Sequence, residues 1–402
     1  MAKVVVGGGG AVGLAIALKC AEEGLDEVSV LESNKKILGE NQSLRNSGVL
    51  HAGIYYDKKI APLKAELCVR GNERLYQFSK QYHVSQRTAK LVVATNQREE
   101  EYLAEVDRAA AENKVPGIQR LDSHQIERLE PNVRGTAALY FPTSGIIDAV
   151  KLMNTLSRLA TEKGVHIVTG NKIVDLKASP SKVSVTAIPE GGEKSAFETD
   201  VFINAAGLYA DELARMVNPS STYEIFPARG ESAKFYTTRR PELAMKGLNV
   251  YPAPYMFDNA TGEPLRVPLA EAQRLAREGR ATRTVGMHLT PTFDLEGRIS
   301  GTVTIGPAKT IGKGKEDYRT DLRPLEYFHR AVQPFFPGLL AGDVELHQAG
   351  IMASLKGHAD WVIKADKKYP QVINLIGMDS PALTALFSIA EYVFEEHIQR
   401  WL

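Results

Sequence analysis

The chain opens on an apolar triplet, Val4-Val5-Val6, then four glycines, then a further apolar run that ends near Leu18. That pattern predicts a short buried strand turning into a helix over 15–23. A second apolar stretch at 28–31 predicts a second strand, closed by the acid Glu32. Gly8, Gly10 and Gly13 stand in G-x-G-x-x-G spacing at the strand-to-helix junction, with Ala11 and Val12 between them. Glycines there permit a tight turn, close approach of the backbone to a pyrophosphate, and close helix–strand packing. The helix start offers free N–H groups and a positive dipole end to phosphates. Glu32, followed by Ser33, stands where an acid can bind ribose hydroxyls. Strand, helix, second strand and acid in this order predict a dinucleotide site; a glycine-rich turn in an ordinary βα unit is the plain alternative.

Further along, residues 41–56 are polar, irregular and glycine-bearing, and residues 62–82 predict a long helix. Strands are predicted at 90–94, 165–168, 173–176 and 201–205, a hairpin around Glu190-Gly191-Gly192, and helices at 99–113, 123–129 and 149–163. From about 224 to 343 the pattern becomes strand-rich, with strands at 233–236, 284–289 and 301–305. Within it, 258–283 reads as a surface insertion: a turn at Thr261-Gly262 and a charged helix over 270–277. A strand at 372–376 leads to a last helix over 388–402. Gly306 to Lys313 mimics a phosphate loop, but Gly314 stands where a Ser or Thr must hold magnesium, so ATP binding is not expected. The alternation predicts an α/β protein. Its Rossmann-like cofactor domain is assembled from 1–80, 145–222 and 344–402. An α+β substrate domain with a mixed or antiparallel sheet comes from 81–144 and 223–343.

Composition narrows the function. With 402 residues, 44% hydrophobic content and a net charge of +1, the chain can bury a full core and has no electrostatic case for nucleic acid. Two cysteines, Cys20 and Cys68, make no disulfide framework and fit a reducing, cytoplasmic setting. No stretch is long and apolar enough to span a bilayer. The last helix has an apolar side, with Ile389, Tyr392, Val393, Phe394, Ile398, Trp401 and Leu402, that could touch a membrane surface; its acidic polar side favours packing on its own domain.

Four segments together resemble the FAD-dependent oxidoreductases of the D-amino-acid-oxidase-like family. They are the glycine fingerprint with Glu32, residues 45–56 with 64–73 after them, residues 202–211, and residues 375–384. The second segment is similar to the L-2-hydroxyglutarate dehydrogenase/oxidase branch. The resemblance implies FAD as cofactor. It also implies cofactor contacts at Ser43, Arg45, Asn46, Ser47, Gly48, Ile173, Ala205, Ala206, Gly207, Asp211, Gly350, Asp379, Ser380, Pro381, Ala382 and Leu383. The chemistry it implies is oxidation of a small 2-hydroxy acid, L-2-hydroxyglutarate first, by hydride transfer to flavin N5. Glycerol 3-phosphate, an amine or amino acid on the same fold, and a flavin-binding electron-transfer subunit are the alternatives. Met352 stands where that branch commonly carries arginine, and Ala382 replaces a usual glycine.

His51, in a glycine-flanked loop, is the first candidate for the base, because histidine titrates nearest neutral pH. A packing role or a covalent flavin link are its alternatives. His288 is the second candidate. Arg229 could clasp a substrate carboxylate in two hydrogen bonds; Lys309 and Lys356 are point-charge substitutes, and Tyr56 could face the substrate. No metal site is expected, since no histidines fall at ligand spacing. With one dinucleotide fingerprint, the electron acceptor is left among a quinone, a carrier protein and oxygen.

Overall fold

The computed structural model describes residues 2–258, 260, 265, 267, 269–278, 280–294, 296–320 and 322–401. Two large sheets organise them. The first has six strands in the order Val362–Ala365, Val372–Ile376, Val201–Asn204, Val4–Gly7, Val28–Leu31, His166–Val168. Its pairings are parallel except at the 362–365 edge. Its central strands are mainly apolar because both faces are covered, with Asn204 Nδ2 donating to Asn374 Oδ1 at 2.9 Å between two of them. On one face helices Ala11–Glu22, Pro62–Tyr82, Ala149–Glu162 and Ala382–Val393 share a core through Leu14, Ile16, Leu67, Leu152, Leu386 and Ile389. On the other lies the antiparallel sheet Asn171–Ala178, Val183–Pro189, Ser195–Thr199, packing Leu176 and Val185 against Val5 and Phe202.

The second sheet has eight strands. In order they are Glu345–Leu355, Ile225–Tyr236, Ile299–Ile311, His288–Phe293, Asn249–Pro252, Lys90–Ala94, Ala137–Phe141 and Gln119–Asp122. Of the pairings made by these strands, only 249–252 with 90–94 is parallel. Phe328, Phe335 and Phe336 pack on Phe235 and Leu289 behind it. A short sheet of Val49–Leu50, Gly145–Ile147 and Ser85–Arg87 joins the two halves.

Several expectations need correction. Residues 345–355, counted by sequence with the cofactor domain, form the edge strand of the eight-stranded sheet. Their buried Ala349, Ile351, Ala353 and Leu355 alternate with less buried neighbours, and the polar start Glu345 to Gln348 masked that period. The strand expected at 284–289 is two, Ala281–Thr284 and His288–Phe293, because Gly286 turns the chain at φ 71°. The phosphate-loop mimic begins inside the strand Ile299–Ile311. The insertion is not a free excursion. Its helix Leu269–Arg277 buries Ala272 and Leu275 in the core of helix Gln97–Glu112, and Gln273 Nε2 donates to Glu105. The Thr261-Gly262 turn lies outside the described residues. The last helix starts at Ala382 and widens into a π turn at Phe394–Ile398. Its Ile389, Val393, Phe394 and Ile398 are buried in the core, Tyr392 and Trp401 are half-buried against it, and Leu402 lies outside the described residues. No helix among the described residues is long and apolar enough to cross a membrane.

Candidate active site

A cleft of about 1460 Å³, its open mouth included, lies between the two large sheets. Its floor is the glycine fingerprint. A Cβ on Gly13 would sit 2.0 Å from Gly8 O, and one on Gly8 2.4 Å from Ala205 O, so these two glycines lock the turn. Gly10 differs: a Cβ there would meet only Ser43 Oγ, at 3.2 Å, and the residue faces the cleft with Ala11, Val12 and Gly13. The helix behind has no side-chain cap and no acid in its first turn; Ala11 N–H donates to Ser43 Oγ at 2.9 Å. An uncapped helix start opening into a cleft is a site for an anion. Glu32, 7% exposed, accepts from Gly9 N–H at 2.8 Å and from Asn34 N–H and Nδ2 at 2.8 Å each. It therefore ties the glycine turn to the second strand. These residues fit a dinucleotide cofactor.

Ser43, Arg45, Asn46, Ser47, Ala205, Gly207, Gly350 and Asp379 to Leu383 also line the cleft, with Gly350 packed directly on the Arg45 carbonyl. The structure leaves other expected contacts off the lining. Gly48 lies behind Asn46, donating to its Oδ1 at 2.8 Å. Ile173 packs against Gly7, and Gly8, Glu32, Ser33 and Ala206 also stand outside the lining. Asp211 is buried elsewhere, accepting from Lys315 Nζ at 2.8 Å and from Ile225 N–H at 3.1 Å, where it anchors the strand Ile225–Tyr236.

Both candidate histidines line the cleft. His51 is clamped through its backbone: its N–H donates to Thr384 Oγ1 at 3.0 Å and its carbonyl accepts from Asn72 Nδ2 at 2.8 Å. Its Nε2 lies 3.2 Å from Ser380 Oγ. Burial, then the charge of Lys90, pushes its imidazole well below the usual range. His288 Nδ1 bonds Thr290 Oγ1 at 3.0 Å, and the ring stacks on Tyr251 with centroids 3.9 Å apart at 8°. Burial pushes this imidazole down as well, helped by Lys90, His51 and Lys309. Two imidazoles held neutral at ordinary pH are groups that can accept a proton.

Of the proposed substrate cations, the structure brings only Lys309 to the cleft. Desolvation lowers its ammonium, against the pull of Asp379; Asp379 itself pairs with Lys64 at 2.8 Å. Arg229 does not reach the cleft. Along an extended strand side chains alternate, and Gly230 and Ser232 face the cleft. Arg229 and Glu231 point the other way, fully buried, and pair at 3.2 Å; the guanidinium also donates to Thr310 Oγ1 and to the Arg319 carbonyl. Arg229 is thus a structural arginine. Arg229→Leu leaves Glu231 buried and unpaired, and should cost about 3–5 kcal/mol of stability. Thermal melts of the holoprotein check this, with substrate preference unchanged. Lys356 is exposed on a Glu224 pair at 2.9 Å, away from the cleft. Tyr56 is off the lining, its hydroxyl bonded to Ser380 and its pKa raised by burial.

Sequence reasoning missed Tyr251, Ser232 and Gln348, which line the cleft. For Tyr251 the signal was an aromatic within the short apolar run 248–253. Among the described residues no cluster of His, Cys, Asp or Glu could hold a metal.

A dinucleotide floor facing two neutral histidines across a sheet-walled cleft defines an oxidoreductase that works on an organic redox cofactor. The chain belongs to the FAD dependent oxidoreductase family, whose model matches residues 3–396, and its cofactor is FAD. It is 29% identical to a protein of Arabidopsis thaliana named L-2-hydroxyglutarate dehydrogenase, mitochondrial, over 98% of this chain and 83% of that one. It is 25% identical to a glycerol 3-phosphate dehydrogenase of Caloramator mitchellensis, over 98% of this chain and 73% of that one. In fold it is similar to the FAD-bound L-alpha-glycerophosphate oxidase of Mycoplasma pneumoniae, with a TM-score of 0.81 at 24% identity, covering 99% of this chain and 94% of that one.

Proposed function

We propose that this enzyme oxidises a small anionic 2-hydroxy acid, L-2-hydroxyglutarate first, to the 2-oxo acid. The observation that carries the reading is the convergence of the cofactor floor, His51, His288 and Lys309 on one cleft. The full-length likeness to an L-2-hydroxyglutarate dehydrogenase supports it. FAD, when bound, supplies an acceptor for the hydride of the substrate's carbinol carbon. Ser43, Ala11, Gly10 and the helix start would hold its pyrophosphate, and Glu32 would hold its ribose. His51 takes the hydroxyl proton. Its backbone clamp fixes the ring beforehand, so little reorganisation is needed when the proton moves. Lys309 neutralises a substrate carboxylate, which is costly to bury unpaired.

Met352 lines the cleft where an arginine would have given a forked carboxylate contact. Lys309 as a point charge serves a carboxylate or a phosphate alike. Glycerol 3-phosphate oxidation is therefore the second reading, supported by the likeness to the dehydrogenase of that name. Anaerobic mixing of the purified holoenzyme with L-2-hydroxyglutarate, glycerol 3-phosphate and amino acids decides the matter. Bleaching of the flavin band by the hydroxy acid first is the expected result; bleaching first by phosphate or amine replaces this reading, and no bleaching at all favours an electron-transfer subunit. Lys309→Met should raise KM for diacids by the equivalent of about 2–5 kcal/mol. Neutral alcohols should lose far less, as steady-state kinetics on both substrate types will show.

A further inference from the structure

Lys90 opens the strand Lys90–Ala94, and its side chain is fully buried. Its Nζ has no hydrogen-bond partner, so the ammonium is paired with no carboxylate. Such a group is expensive to keep unless something around it uses the charge. What surrounds it is aromatic. Nζ lies 3.8 Å from the centroid of the Tyr251 ring and 5.5 Å from that of Tyr55. Tyr251 is the same ring on which His288 stacks at 3.9 Å. Two groups that close to one centroid flank the ring from opposite faces, giving the order ammonium, phenol ring, imidazole. The ring's negative face attracts the cation and fixes the stack. The phenol also keeps the ammonium off the cleft lining, which includes Tyr251 and His288 but not Lys90.

We propose that Lys90 is a positioning residue of the active site: from behind Tyr251 its ammonium fixes the Tyr251–His288 stack and sets the electrostatic field in which His288, and with it His51, meets the substrate. This rests on the reading of the cleft as a proton-accepting oxidation site. The titratable neighbours agree in sign. From helix Pro62–Tyr82 comes the Cys68 thiol, pushed by burial up to about 12 and so uncharged. The loop before that helix supplies Tyr55, and the neighbouring strand Tyr251; both phenols are raised by burial and remain neutral. His51 and His288 are the groups whose protonation the ammonium opposes. Arg283, which acts on Tyr55, is paired with Glu105 at 3.6 Å, and Lys309, from the strand paired with His288–Phe293, also opposes a charge on His288.

The device is self-timed. Burial brings the Lys90 ammonium down to about 7. Below that pH, where solution protons threaten the histidines, Lys90 is charged and opposes them. Above it Lys90 is neutral and not needed. Lys90→Met keeps the length and removes the charge. Its histidines should then titrate upward by roughly one unit or more. The acidic limb of anaerobic flavin reduction should move to higher pH by the same amount, with a loss of about tenfold on that limb for each pH unit it moves and coincidence with wild type above about pH 8. The substrate-free readout is the pH titration of isotopically labelled histidine in the oxidised holoenzyme, assigned with His51→Gln and His288→Gln. Unmoved histidine titrations in an FAD-loaded Lys90→Met protein overturn the inference. Lys90→Gln is the second variant, and if neither variant folds with FAD, Lys90 is structural and the inference is overturned equally. Failure of the 2-hydroxy-acid reading shows separately, as a wild-type flavin that no hydroxy acid reduces.

Discussion

His51→Ala holoenzyme should keep its FAD and its melting temperature, yet reduce that FAD on the order of 10²–10⁴-fold more slowly under anaerobic single turnover. The division between binding and chemistry comes from how the residue is held. Its structural work is done by the backbone, through Thr384 Oγ1 and Asn72 Nδ2, and alanine preserves both bonds. Only the imidazole is lost, together with its 3.2 Å contact to Ser380 Oγ. Because burial and Lys90 keep that ring neutral, the wild-type rate should hold as pH falls well below the ordinary histidine range. A variant that reduces FAD at the wild-type rate transfers the base to His288. Flavin that is released by denaturation only in the variant would identify His51 as a covalent tether instead.

Gly10→Val should give a folded protein nearly devoid of FAD. The neighbouring fingerprint glycines cannot make this test: side chains at Gly8 or Gly13 collide with carbonyl oxygens and break the turn itself. At Gly10 the backbone sits at φ −69°, which any residue adopts, and a Cβ meets only the Ser43 hydroxyl at 3.2 Å. The added methyls project into the cleft, where the backbone must approach the pyrophosphate. They also crowd the Ser43 hydroxyl that accepts from Ala11 N–H. Circular dichroism reports the fold and the 450 nm band reports occupancy. Full FAD in a folded Gly10→Val protein would remove the pyrophosphate from this turn.

The parts of this site that could be read from sequence are the local ones. Strand, glycine turn, helix and Glu32 fall within residues 4–32, so their geometry follows from neighbours along the chain. Arg229 shows the opposite case. Which face of a strand a residue takes depends on the partner register, and here Gly230, opposite Lys309 and Gly350, faces the cleft and turns the arginine inward. Lys90 gave a signal, a charge heading the apolar run Leu91-Val92-Val93. Its meaning depends on pairing with Asn249, 159 positions away, and on Tyr251 two residues beyond. Long-range pairing is the information a single sequence withholds.

The cleft that receives the cofactor begins at Gly10 and is not closed until Thr384. A ribosome making this chain exposes the glycine turn early, and the wall that completes the cleft only about 370 residues later. The two ends of the FAD site are thus made far apart in time, and the whole site exists only once both large sheets have met. Because a ligand that binds only the folded form adds stability according to its free concentration, the cell's supply of free FAD sets how much of the finished protein survives.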